Sequence, residues 1–79
     1  MNQRLVSVLA QVFGLRHEQI VLDLSKENTG SWDSLKQMDL VVTLEQEFNI
    51  ILEIPDIVTM TSVQSIVDVL HAKGVDLGA

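Results

Sequence analysis

The chain has 79 residues, a formal net charge of −6 and no cysteine. That length fits one domain with a thin hydrophobic core and leaves little room for a deep catalytic pocket. The missing cysteines exclude a disulfide framework and any thiolate metal site, and nothing ties the chain to an oxidising compartment.

Arg4, Gln11 and Arg16 interrupt the apolar residues of the first twenty positions, so these do not read as a signal peptide. No apolar run approaches the roughly 20 residues of a membrane span. The expectation is a soluble, cytoplasmic monomer. The charge is unevenly placed. Residues 1–32 balance to zero, whereas residues 33–56 hold Asp33, Asp39, Glu45, Glu47, Glu53 and Asp56 against Lys36 alone, a net −5. Phosphate contacts need a basic face, so nucleic acid is excluded as a partner and a basic protein surface is favoured.

The first predicted helix runs from Asn2 to Phe13, with Leu5, Val8, Leu9, Val12 and Phe13 at helical spacing. Asn2 suits its cap and Gly14 its end. A long connection follows, from Gly14 to Trp32. It holds Leu15, Ile20, Val21 and Leu22, which read as buried, and then the polar run from Ser25 to Gly30. A loop of that length either packs on itself or carries function.

The second helix runs from Ser34 to Phe48 and has two apolar faces. Leu40, Val41, Leu44 and Phe48 form one, and Leu35, Met38 and Val42 form the other. One faces the core, which leaves the other for something else. Pro55 then interrupts any continuous helix, with a short helical turn expected from Asp56 to Met60. The last helix runs from Ser62 to Ala72, with Thr61 and Gln64 as a capping box. Val63, Ile66, Val67 and Leu70 supply its core stripe, and Gly74 suits its end. The fold class is therefore all-α: a small four-helix bundle of three main helices and one short one, with a long first loop, as a single domain over residues 1–79.

Few residues can carry chemistry. Asp23, Ser25, Glu27 and Thr29 alternate like a calcium loop, but Asn28 stands where glycine is required and Ser34 where a bidentate glutamate is required. His17 and His71 have no partner at ligand spacing, and neither a nucleophile elbow nor an oxyanion loop is present. The chain is not expected to be an enzyme or to hold a metal.

The stretch "GSWDSLKQMDL", Gly30 to Leu40, is the informative one. Asp33 at the helix start can accept from free amides of the first turn, and its charge suits the positive helix end. That explains Asp33 but not Leu35, Met38 and Val42. A serine hydroxyl at position 34 would stand in solvent on a rigid element, where an attached phosphate meets free amides and the positive dipole end. Leu35, Met38 and Val42, bordered by Asp39, Glu45 and Glu47, then have the anatomy of a docking surface: an apolar centre with a charged rim.

"DSLKQMDLVVTLEQEFNI…EIPD", Asp33 to Asp56, resembles the acyl carrier proteins. The likeness extends over essentially the whole chain, including the closing "TSVQSIVDVL". It implies that Ser34 carries a covalent 4′-phosphopantetheine installed from coenzyme A by a phosphopantetheinyl transferase. The arm's thiol would hold an acyl group as a thioester. It implies that Asp33 helps hold the magnesium used in that transfer. The second helix would be the surface read by acyl-loading ligases or synthases with basic docking patches, with Leu35, Met38, Asp39, Val42, Glu45 and Trp32 as docking residues. Lys36 and Gln46 stand where typical members carry acids, "NIILEIPD" is longer and more apolar than the common form, and "DIVTMTS" lacks the usual acidic run. These departures, with "WDSL" in place of "ADSL", favour a stand-alone carrier in a dedicated lipid, polyketide or surface-polysaccharide pathway over bulk fatty acid synthesis. The alternatives are an aminoacyl, D-alanyl or peptidyl carrier, and an unmodified helical adaptor. "GSWDSL" is not the usual peptidyl signature.

Two expectations concern the interior. A core of Leu, Ile, Val and Met could part slightly to shelter a long acyl chain. Trp32 has two accounts: its ring covers the end of the bundle against Leu22 or Leu24, or it borders Ser34 and contacts partners.

Overall fold

The computed structural model describes residues 1–78. Four α-helices follow one another: α1, Gln3–Phe13; α2, Ser34–Phe48; α3, Ile54–Thr59; and α4, Val63–Ala72. A single 3-10 turn, His17–Gln19, interrupts the first loop. The all-α bundle expected from the apolar periodicities is the observed architecture.

The α1 ends follow from side-chain and backbone chemistry. The Asn2 carboxamide oxygen accepts from the Leu5 N–H at 3.1 Å, and its Nδ2 donates to the Leu77 carbonyl at 3.1 Å, tying the chain's two ends together. Gly14 ends the helix in the left-handed region at φ 66°, a conformation that costs glycine little. Helix α2 stops at Asn49, also left-handed at φ 53°, which asparagine tolerates better than most residues.

Two predicted ends are corrected. Helix α3 starts at Ile54, before Pro55, rather than at Asp56. Proline lies in its first turn, where the missing N–H removes no helical bond. The cap of α4 is Ser62 with Ser65, not Thr61 with Gln64. The Ser62 hydroxyl accepts from the Ser65 N–H at 3.1 Å, and the Ser62 N–H donates back to the Ser65 hydroxyl at 3.0 Å. A short serine at the third helical position does the work usually given to glutamate or glutamine.

Leu5, Leu9, Leu40, Leu44, Met60, Val63, Ile66 and Leu70 form the fully enclosed centre. Phe13 and Trp32 close the bundle at the end where α1 finishes and α2 begins. Their ring centroids are 4.6 Å apart with the planes tilted by 36°, an arrangement between stacked and edge-to-face. At the opposite end the Arg4 guanidinium lies 4.9 Å over the half-buried Phe48 ring and pairs with the Glu47 carboxylate at 3.0 Å.

The long first loop packs rather than dangles. The Val63 N–H donates to the Leu24 carbonyl at 2.8 Å and the Lys26 N–H to the Thr61 carbonyl at 3.0 Å, so the loop is laced to the start of α4. Ile20 is buried as expected, and Leu15 is only half-buried. Val21 and Leu22 are not: both are about half exposed, because this segment spends its backbone on α4 and turns these side chains outward. Asn28 folds the polar run on itself, accepting from the Ser25 N–H and donating to the Asp23 carbonyl. No helix among the described residues is long and apolar enough to cross a membrane.

A candidate attachment site at the start of helix α2

Ser34 is the first helical residue of α2 and is exposed. Its position is fixed from both sides. Asp33 is extended and caps the helix, its Oδ1 accepting from the Lys36 N–H at 2.9 Å. The Asp33 carbonyl accepts from the Gln37 N–H at 2.9 Å, starting the helical ladder. The first-turn N–H groups of Ser34 and Leu35 have no intrahelical acceptor, and they open at the positive helix end that Ser34 begins. The second Asp33 carboxylate oxygen is engaged by no hydrogen bond among the described residues and faces solvent beside it.

The second apolar face of α2 is open. Leu35 is 79 % exposed, Met38 56 % and Val42 47 %. With Lys36 and Asp39 they line a shallow groove of about 440 Å³ that begins next to Ser34. Leu40, Val41 and Leu44 face the core, so the two-faced reading of this helix holds.

Two of the expected docking residues are placed elsewhere. Trp32 is only 4 % exposed and cannot offer a partner contact area. It covers the bundle end, with its ring against Phe13. Glu45 is half-buried, and its carboxylate accepts from the Leu52 N–H at 2.9 Å, pinning the α2–α3 connection. It does not line the groove. Glu47, expected at the rim, is paired with Arg4.

One residue escaped sequence reasoning. Gln37 is the buried polar side chain of the core. Its Oε1 accepts from the Trp32 indole Nε1–H at 2.7 Å, while its Nε2 donates to the carbonyls of Ile57 at 3.1 Å and Met60 at 3.2 Å. Gln37 therefore joins the residue before Asp33, helix α2 and the end of α3. The signal was available: positions 37, 40, 41 and 44 form a single i, i+3, i+4, i+7 stripe, and a glutamine on a core stripe needs buried partners.

His17 and His71 are exposed, and no cluster of three metal-ligating side chains occurs among the described residues.

The comparisons with known proteins agree with this geometry. Residues 3–70 match the family described as phosphopantetheine attachment site. Over 71 residues the chain is 28 % identical to the acyl carrier protein of Cyanidium caldarium, spanning 90 % of this chain and 83 % of that one. The chain belongs to the phosphopantetheine-attachment family, whose members act as carriers through a covalently attached 4′-phosphopantetheine. Carriers of this class work with a phosphopantetheinyl transferase and with enzymes that handle the acyl cargo.

Proposed function

We propose that Ser34 is the attachment point, and that the chain presents acyl groups to partner enzymes without catalysing their reactions. The carrying observation is an exposed hydroxyl on the first residue of a capped helix, at the head of an open apolar groove. In the loading step the Ser34 Oγ attacks the phosphorus that bears the pantetheine in coenzyme A. A new P–O bond forms, the bond to adenosine 3′,5′-bisphosphate breaks, and the hydroxyl proton passes to a base of the transferase. The arm then supplies a terminal thiol for thioester formation.

The chain's own part is positional. Asp33 fixes the first turn through one carboxylate oxygen and has the other free for the transfer magnesium. The free first-turn amides favour the phosphodiester charge. Leu35, Met38 and Val42 give an enzyme a dry contact beside the reacting atom. Trp32 and Glu45 act indirectly, by holding the end of the bundle and the connection to α3. The exchange of acidic rim positions for Lys36 and Gln46 supports a dedicated pathway rather than bulk fatty acid synthesis.

The test is loading with coenzyme A, magnesium and a transferase. Wild type gains one phosphopantetheine and Ser34→Ala gains none. Modification of the alanine variant at Ser7, Ser25, Ser31, Ser62 or Ser65 contradicts the assignment.

A further inference from the structure

The net −5 of residues 33–56 is the ground for expecting a basic partner, yet most of that acid is occupied inside the molecule. Glu47 pairs with Arg4, and Glu53 and Asp56 pair with Lys73 at 3.6 and 2.7 Å. Glu45 turns to the Leu52 N–H, and Asp33 caps α2. Asp33 and Glu45 keep their charge but lie outside the groove beside Ser34, whose own lining holds one anion and one cation. The Thr43 hydroxyl donates to the Asp39 carbonyl at 2.7 Å and only grazes its carboxylate, at 3.4 Å, which has no ion pair among the described residues. Lys36 has no ion pair among the described residues. Both stand on the rim of the strip made by Leu35, Met38 and Val42.

We propose that Lys36 and Asp39 form a two-sign address that selects the enzyme acting on Ser34. That enzyme meets Lys36 with an acidic side chain and Asp39 with a basic one, on either side of an apolar ridge that seats on Leu35. A uniformly basic docking patch is repelled at Lys36. The inference rests on Ser34 as the attachment point, since the groove begins at Leu35, the next residue. Opposed charges at a rim govern encounter and partner choice more than raw affinity, and a like-charge juxtaposition is costly. Lys36 carries the sign that distinguishes this face from a simple acidic one.

Loading kinetics with the phosphopantetheinyl transferase of the same organism provide the test. Lys36→Glu and Asp39→Lys are each expected to raise the KM for the carrier about tenfold at low salt, with kcat held, and the loss shrinks as salt is added. The KM for coenzyme A stays unchanged. One carboxylate of the transferase, changed to lysine, restores Lys36→Glu. Folding is a separate readout: a glutamate in the first helical turn favours the helix, so Lys36→Glu keeps or gains thermal stability while loading falls.

A lower carrier KM for Lys36→Glu places a basic surface over position 36 and overturns the proposal. An unchanged KM overturns it too, and a raised KM for coenzyme A assigns Lys36 to the coenzyme's phosphates instead. If wild type itself gains no arm, the attachment assignment fails and the address falls with it. If wild type loads and only the charge variants behave otherwise, the address alone is wrong.

Discussion

Gln37 holds the residues around Ser34 in register. A buried amide with all its hydrogen bonds made is stable, but removing it strands its partners. Gln37→Leu leaves the Trp32 indole N–H and the Met60 carbonyl without these bonds and the Ile57 carbonyl with only its bond from the Met60 N–H. It should cost about 1–3 kcal/mol in chemical denaturation. Trp32→Phe removes the stranded donor, so the double variant should lose less than the two single losses added together. Strict additivity would mean the two side chains are uncoupled. Trp32 is also the chain's one tryptophan, so its emission should report disruption of this bond. The residue was visible in the sequence as a large aromatic near Asp33, but its orientation was not. Whether a ring at a helix start turns inward depends on what waits there, and here Phe13 arrives from the end of α1.

Helix α3 is held by its ends rather than by its face. None of its residues is fully buried, and Ile54 and Val58 are 73 % and 69 % exposed. Gln37 holds its C-terminal carbonyls, and Lys73 holds Asp56 near its start. The hydrogen bond from Lys73, followed by the Glu53 N–H, lowers the Asp56 pKa below the ordinary carboxylate value. The bond to Asp56 raises Lys73 above 10.5. Asp56 is thus depressed on folding, and its contribution is present above the ordinary carboxylate range and lost as pH falls through its lowered folded value. Lys73 is raised, and its contribution is present below its ordinary range and lost as pH climbs through its raised folded value. Between those limits the contact is intact. Protection of the α3 backbone amides, taken relative to intrinsic exchange at the same pH, should therefore fall in acid, and Lys73→Met should lower it at neutral pH. Identical α3 protection in wild type and Lys73→Met would show that the ion pair does not hold this helix. Periodicity gave α1, α2 and α4 nearly to the residue. It misjudged α3 because Pro55 was read as a break, although proline is tolerated in a first turn.

Across the molecule, stability rests on a small core, and charge is spent mainly on internal joins. Leu9 and Leu44 are fully enclosed, and either changed to alanine should cost about 2–5 kcal/mol. That is a large share of the 5–15 kcal/mol typical of folded domains, so thermal unfolding should move well below wild type. An unshifted melting temperature would mean the α1–α2 packing matters little. The division of α2 into a core face and an open face was legible because it depends only on helical spacing. The fate of the acids was not, since Arg4, Lys73 and the Leu52 N–H reach Glu47, Asp56 and Glu45 only after the chain has folded. The same limit hid the partners of Gln37, though not its place on the core stripe. The place of Ser34 at a helix start was legible because helix-start chemistry is local. The most direct measurement is fragmentation mass spectrometry of the wild-type protein after loading with coenzyme A, magnesium and a transferase: a single phosphopantetheine on Ser34 is the predicted result, and an adduct on any other residue, or no adduct at all, would contradict the account.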